Sequence, residues 1–122
     1  MVKDSLSLFV EGLRSMIALK LEDETTRYFV EGWDRTIILR IRGVGTVFLV
    51  FKEGKAEVFK EKGGLEEADI VLEGDWNAFI RIAQGRMNPL MAYLRRKVKR
   101  KKGSIKDVLK LVKILKVPKG EV

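Results

Sequence analysis

The chemistry-bearing residues with the most distinctive spacing in this 122-residue sequence are basic ones. Segment 95–102 reads Arg-Arg-Lys-Val-Lys-Arg-Lys-Lys, and it supplies seven of the eight net positive charges, so the rest of the chain carries +1. In an extended strand alternate side chains share a face, so about half of these cations act together. The candidates for contact with an anionic surface are Arg95, Arg96, Lys97, Lys99, Arg100, Lys101 and Lys102.

Three interpretations of this basic segment follow from its charge. We rank first a solvated edge strand, whose charges prevent pairing with the edge of another sheet. The second is docking on an anionic membrane surface, where each basic residue contributes about 1 kcal/mol. The third is nucleic-acid binding through phosphate neutralisation. It ranks last because the segment has no interleaved aromatic residues on which bases could stack.

Residue types that commonly catalyse reactions are missing. The sequence has no cysteine and no histidine, which excludes disulfides, thiolate metal sites and a Ser-His-Asp or Cys-His mechanism within the chain. The carboxylates at 22–24 and 66–67 lie in polar connections rather than in the buried or shared sites that catalysis needs. We therefore expect a protein that is not an enzyme and needs no cofactor or metal.

The first half of the sequence predicts two helices and then a group of strands. Apolar residues recur at helical spacing over 4–21. In residues 23–31 the segment Tyr28-Phe29-Val30 has strand propensity, but Asp23 and Gly32 are placed as the caps of a short helix, which we favour. Alternating segments separated by glycine turns then predict an antiparallel meander and a fourth strand. These strands are Thr36–Arg42, Thr46–Lys52, Lys55–Glu61 and Ala68–Glu73.

The second half returns to helical patterns interrupted by the basic segment. Polar residues placed as helix caps and prolines mark the boundaries of each element. The predicted elements are a helix Trp76–Gln84 capped by Asp75, a helix Pro89–Leu94 begun by Asn88, an extended basic segment 96–102, and a last helix opened by the capping box of Ser104 and Asp107 and ended by Pro118.

Residues 68–117 resemble the type-two sterol carrier protein domain. No single position is specific, but the order of several positions matches the family, and the first half agrees in topology. The matching residues are Ala68-Asp69, Asp75, Phe79, Gly85, Asn88-Pro89, Ala92, Tyr93, Lys97-Val98-Lys99, Gly103-Ser104 and Lys110-Leu111. The chain departs from the family at Arg96, where glycine is usual, and at Arg100, where an apolar residue is usual in a strand one residue shorter.

This resemblance implies an α+β domain over residues 1–122, with a five-stranded, mostly antiparallel sheet and helices packed over one face. It also implies non-enzymatic binding or transfer of an apolar molecule in a cavity between sheet and helices, the molecule being fatty acyl, isoprenoid or sterol-like. The residues expected to line that cavity are Phe9, Leu13, Phe48, Trp76, Phe79, Ile80, Met87, Leu90, Met91, Leu109 and Val112. Arg100 either points to solvent or sits at the cavity mouth.

Two alternatives to the carrier remain open at this point. The apolar helical stripes could simply fill the core, and the same fold could serve as a ligand-free accessory module or homodimer that uses its apolar sheet face. The lack of a signal-peptide pattern or a long apolar run favours a cytoplasmic protein. The many charged residues and few amides are typical of a thermophile.

Overall fold

Helices and strands follow one another along the chain at boundaries set by polar caps and glycine turns. A computed structural model describes residues 5–60 and 68–115, so the predicted ends at Glu61 and Pro118 lie outside the described residues. Within them the elements are α1 Ser5–Lys20, α2 Glu24–Val30, β1 Arg35–Arg42, β2 Gly45–Lys52, β3 Lys55–Lys60, β4 Ile70–Asp75, α3 Trp76–Ala83, α4 Pro89–Leu94, β5 Val98–Lys102 and α5 Ile105–Leu115.

The five strands form one mixed sheet in the order β3-β2-β1-β4-β5. Strand β2 is antiparallel to β1 and β3, and β5 is antiparallel to β4, whereas β4 runs parallel to β1. A parallel neighbour requires a crossover rather than a hairpin, and two other strands, β2 and β3, lie between β1 and β4 along the chain. The predicted meander and the predicted five-stranded, mostly antiparallel sheet are confirmed.

The helices pack over one face of this sheet, as predicted for an α+β fold. Successive strand residues point to opposite faces, so Leu39 and Leu49 join the main core while Ile38 and Phe48 join a smaller cluster on the other face. In that smaller cluster Phe48 stacks on Phe59, with ring centroids 5.4 Å apart. The strands therefore carry two separate apolar surfaces, and the larger one lies under the helices.

Side-chain caps begin three of the helices where the sequence predicted them. The carboxylates of Asp23 and Asp75 accept hydrogen bonds from backbone N–H groups three residues ahead, at 3.0 and 2.8 Å. The amide oxygen of Asn88 accepts from the Leu90 N–H at 2.8 Å. Each cap satisfies a donor that the first turn leaves unpaired, so the short helices α2 and α4 are confirmed.

Strand β4 begins and ends two residues later than predicted, at Ile70–Asp75. Before it, Asp69 is tied to β1, because its N–H donates to the Thr36 carbonyl and its carboxylate accepts from the Thr36 N–H, both at 2.8 Å. Gly74 lies inside the strand at a position where only glycine fits, because a Cβ there would come within 2.7 Å of the Lys97 carbonyl oxygen. The predicted end at Glu73 was therefore wrong, because the strand continues through a glycine, a residue usually depleted in strands.

The predicted extended segment 96–102 is also shorter, because β5 begins only at Val98. Arg96 has a φ of +61°, which is the left-handed region that side chains with a Cβ disfavour. This is the position where the resembling family usually has glycine. Arg96 therefore occupies a backbone conformation suited to glycine, between α4 and β5.

Strand β5 accommodates its extra residue as a β-bulge. Val71 and Leu72 are neighbours in β4, but their partners Lys102 and Arg100 are two residues apart in β5. Such an insertion bends an edge strand without ending its pairing. The guanidinium of Arg100 donates to the Gly103 carbonyl at 2.8 Å and is exposed, so Arg100 takes the solvent-facing orientation of the two that were expected.

The carboxylate of Asp107 joins the first turn of α5 to the start of β1. Its oxygens accept from Trp33 Nε1 and Arg35 Nε, both at 3.0 Å, while the Ser104 hydroxyl accepts from the Asp107 N–H at 3.1 Å. Partial burial raises the pKa of Asp107, but its hydrogen bonds and the Arg35 charge outweigh this and lower the pKa. The predicted start of α5 is confirmed, with Ser104 as the cap, while the Asp107 carboxylate makes a tertiary contact with Trp33 and Arg35.

Replacing Arg96 by glycine is expected to stabilise the fold by about 1 kcal/mol, because glycine adopts a positive φ without strain. The matched control is Arg95→Gly, which removes the same charge at a φ of −86° and is expected to lose stability. Free energies of unfolding from urea titration compare the two variants. Equal effects of both substitutions would contradict strain at Arg96.

Replacing Asp107 by asparagine is expected to lower the free energy of unfolding at pH 7 by about 1 kcal/mol. Because the pKa of Asp107 is lower in the folded state, its contribution is present above the ordinary value of 3.8 and is lost as the pH falls through the folded-state pKa. Urea titrations should therefore show the difference between the variant and wild type becoming smaller as the pH falls below 3.8. Glu57→Gln on exposed β3 is the charge-matched control, and a pH-independent difference at Asp107 would refute the account.

Candidate functional site

A small apolar cavity lies between the helix-covered face of the sheet and four of the helices. Its volume is about 40 Å³, and no charged side chain is in its wall. The only side chain of the wall with a polar atom is Tyr93. The thirteen lining residues are Phe9, Leu13, Leu39, Leu72, Phe79, Ile82, Pro89, Tyr93, Val98, Val108, Leu111, Val112 and Leu115.

The floor of the cavity comes from the sheet. Leu39 of β1 lies beside Leu72 of β4 in the parallel register, and Val98 of β5 is paired with Gly74, two residues after Leu72 in β4. Since residues that are paired across strands point to the same face, these side chains meet the helices together. The absent side chain at Gly74 lets β5 come close enough for Val98 to take part.

The roof of the cavity comes from helical residues spaced by three, four or seven positions, which is the spacing that places side chains on one helix face. Helix α5 contributes the largest share, from Val108 to Leu115. Helix α4 contributes Pro89 and Tyr93, one turn apart. At the α1 wall, Phe9 makes an edge contact with Phe79, with ring centroids 6.3 Å apart.

The volume of this cavity limits what it holds without movement. An apolar cavity of about 150 Å³ takes up benzene and stays free of water, whereas this cavity of about 40 Å³ is smaller than one such ring. A hydrocarbon chain therefore enters only if part of the wall moves outwards. Among the four helices that line the cavity, the six-residue α4 has the fewest buried residues, namely Pro89 and Ala92.

Four of the eleven residues predicted to line a cavity do line this one, namely Phe9, Leu13, Phe79 and Val112. The other seven lie elsewhere. Trp76, Ile80 and Met87 are half-buried against the main core, Leu90, Met91 and Leu109 are exposed, and Phe48 lies on the opposite face of the sheet.

Sequence reasoning missed nine lining residues for two reasons. Leu39 and Leu72 come together only through the parallel pairing of β1 and β4, which no local pattern reveals. The helical residues on α5 were visible as an apolar stripe, but the stripe does not tell which of its edges faces the sheet. The alternation along β2 carried a usable signal, because it already separates Phe48 from Val47 and Leu49.

The seven predicted surface cations are all exposed, from Arg95 to Lys102. They begin directly after α4 and continue along β5, which forms one edge of the sheet. The exposed lysines of β5 fit the first-ranked interpretation, an edge strand that resists pairing with other sheets. The arginines of the preceding turn are not part of that strand.

Two larger depressions open on the surface. One, of about 420 Å³, is lined by Leu6, Val44, Trp76 and neighbouring residues, and the other, of about 360 Å³, includes Arg14, Arg27 and Lys55. In residues 5–60 and 68–115 no three carboxylates come together as a metal site. No helix of that described part is long and apolar enough to cross a membrane.

Several solved structures are similar to this chain. A crystal structure of sterol carrier protein 2 is 28% identical, with a TM-score of 0.62, and the match covers 88% of this chain and 96% of that one. The conserved hypothetical protein TT1886 from Thermus thermophilus is 24% identical, with a TM-score of 0.59, over 100% of this chain and 95% of that one.

A third structure, palmitated SCP2L2 from Aedes aegypti, is 14% identical with a TM-score of 0.54, over 67% of this chain and 72% of that one. The last two likenesses show the fold alone. No curated protein sequence matches the chain. The model of the SCP-2 sterol transfer family matches residues 13–116, and the chain therefore belongs to that family.

Proposed function

We propose that this chain is a single domain that binds and carries an apolar lipid-like molecule between its sheet and helices, without catalysing a reaction. The observation that carries the proposal is the cavity at that interface, whose wall of thirteen residues contains no charge. The family to which the chain belongs is one of sterol transfer. Fatty acyl, isoprenoid and sterol-like molecules all fit this chemistry.

The driving force for such binding is the removal of apolar area from water, at about 25 cal/mol per Å². Burying about 300 Å² of a hydrocarbon chain would contribute about 7 kcal/mol. The costs of fixing the ligand and moving a helix are subtracted from that gain. Since the cavity wall is apolar and contains no charged side chain, a charged head group must remain outside the cavity.

Helix α4 is the wall that we infer to move. Helix α5 is held at its first turn by the Asp107 carboxylate, and its residues Val108 and Leu111 are fully buried. Helix α4 has six residues, and its inner side consists of Pro89, Ala92 and the half-buried Tyr93. Segments with few buried contacts open at the lowest free energy, so displacement of α4 would enlarge the cavity most easily.

A fatty acid is the first ligand to test. The Aedes aegypti protein SCP2L2, which shares the fold, has been solved in palmitated form. An unbranched acyl chain is also the narrowest of the three ligand classes, and it therefore requires the smallest displacement of the wall. Sterol-like and isoprenoid molecules become the next probes if the acyl chain binds weakly.

Fluorescent fatty acid is expected to bind the purified protein, and Val112→Phe is expected to weaken binding at least tenfold because the added ring occupies the cavity. The matched control is Leu109→Phe on the same helix, whose residue is exposed and outside the cavity wall. Fluorescence titration measures both variants, and native mass spectrometry identifies lipid that co-purifies with the wild type.

Two results would overturn the carrier. One is a folded wild type that binds no fatty acid, sterol or isoprenoid probe and carries no lipid after purification. If that protein also forms a stable dimer in solution, the result favours the accessory module instead. The other is equal binding by wild type and Val112→Phe, which would place the ligand outside this cavity. Thermal unfolding of each variant verifies that it is folded.

A further inference from the structure

Helix α4 exposes apolar side chains on the side away from the cavity. All six of its residues, Pro-Leu-Met-Ala-Tyr-Leu, are apolar or aromatic. Leu90 and Met91 are exposed, and Leu94 is 63% exposed. A helix that is apolar all round is ordinarily enclosed by protein or lipid, so this outward side calls for a partner.

Positive charge follows directly on these apolar residues. Arg95, Arg96 and Lys97 are all exposed. Two backbone hydrogen bonds, from the Arg96 N–H to the Tyr93 carbonyl at 3.1 Å and from the Lys97 N–H to the Ala92 carbonyl at 2.8 Å, fix this turn against the end of α4. We call the six exposed residues Leu90, Met91, Leu94, Arg95, Arg96 and Lys97 the α4 patch.

The chain around the α4 patch carries charge of one sign. Residues 76–106 contain ten basic residues and no acidic residue. The remainder of the chain is therefore slightly acidic, since the whole carries only +8. The positive field is concentrated on the half of the fold that includes α4 and β5, where it attracts an anionic partner.

Protection of a sheet edge explains only part of this arrangement. The lysines of β5 block pairing with another strand, but Arg95 and Arg96 lie in the turn before β5. Edge protection also gives no reason for exposed Leu90 and Leu94 on a neighbouring helix. Arg96 even keeps its charge at a φ of +61°, where glycine would relieve strain.

We propose that the α4 patch docks on an anionic lipid bilayer. Leu90, Met91 and Leu94 would enter the boundary between head groups and acyl chains, while the basic residues contact the head groups, the arrangement by which amphipathic segments bind membranes. A nucleic acid fits the patch less well, because its phosphates offer nothing to exposed leucines. The aromatic residue Tyr93 is part of the cavity wall and is not available for base stacking.

The docked orientation places α4 between the bilayer and the cavity. The same helix lines the cavity through Pro89 and Tyr93 and forms the patch through Leu90 and Leu94. A lipid would therefore exchange between bilayer and protein past α4. This step rests on the proposed function, because it names the membrane as the partner that supplies or receives the ligand.

Co-sedimentation with vesicles tests the docking, using phosphatidylglycerol mixed with phosphatidylcholine and phosphatidylcholine alone. Wild type is expected to bind only the anionic vesicles. Leu94→Asn should weaken binding about tenfold through the lost apolar contact, whereas Leu19→Asn, at a residue of α1 that is 67% exposed, should not. The double variant Arg95→Gln, Lys97→Gln should weaken binding about 25-fold, at about fivefold per charge.

The control for charge is the double variant Lys52→Gln, Lys55→Gln in the β2–β3 turn, at the sheet edge opposite β5, and it should bind as the wild type does. Full binding by Leu94→Asn, or equal losses in test and control variants, would overturn the proposal. The proposal would also be overturned if the protein bound RNA more tightly than vesicles at the same salt concentration and Leu94→Asn did not change that preference.

Binding of fluorescent fatty acid without vesicles separates this proposal from the proposed function. If wild type binds the fatty acid but not anionic vesicles, docking fails and the carrier stands. If it binds the vesicles through Leu94 but takes up no lipid probe, docking stands and the carrier fails. Loss of vesicle binding by Leu94→Asn with unchanged fatty-acid affinity supports both.

Discussion

The apolar contact between the sheet and the helices above it is the constraint on which the rest of the molecule depends. No polar or charged residue is buried anywhere in the described part of the chain, so this contact is held by area removed from water rather than by directed bonds. Such an interaction does not distinguish a side chain from a hydrocarbon guest. Under the proposed function, a ligand that replaces side-chain contacts with its own would lose little, so the cavity near Leu39 and Leu72 would expand at a small cost.

Hydrogen bonds of defined geometry lie instead at the ends of the helices, outside this apolar contact. Asp107 fixes the first turn of α5 to Trp33 and Arg35, and the caps at Asp75 and Asn88 fix where α3 and α4 begin. These bonds determine where each helix starts but leave its apolar side free to adjust. The residues that fix the helix starts are thus different from those that line the cavity, as the proposed carrier function requires.

Local chemistry made much of this fold predictable from sequence. Helix α4 was predicted at its observed bounds because Asn88 and Pro89 act within one turn of chain. Features that depend on residues distant in sequence were not predictable. One is the parallel pairing of β1 with β4, which forms the cavity floor, and another is the close approach of β5, which explains why a glycine, Gly74, lies inside a strand. Phe48 was predicted to line the cavity but lies on the opposite face of the sheet, and its position in β2 already opposed that of Leu49.

The central claim is that an apolar guest enters between the sheet and the helices, on one side of the sheet only. Nuclear Overhauser contacts between a bound fatty acid and the protein's labelled methyl groups test it most directly. The claim predicts contacts from the acyl chain to Leu39, Leu72 and Leu111. Contacts confined to Ile38 and Val71 on the opposite face, or to Leu6 and Val44 in the surface depression, would contradict it.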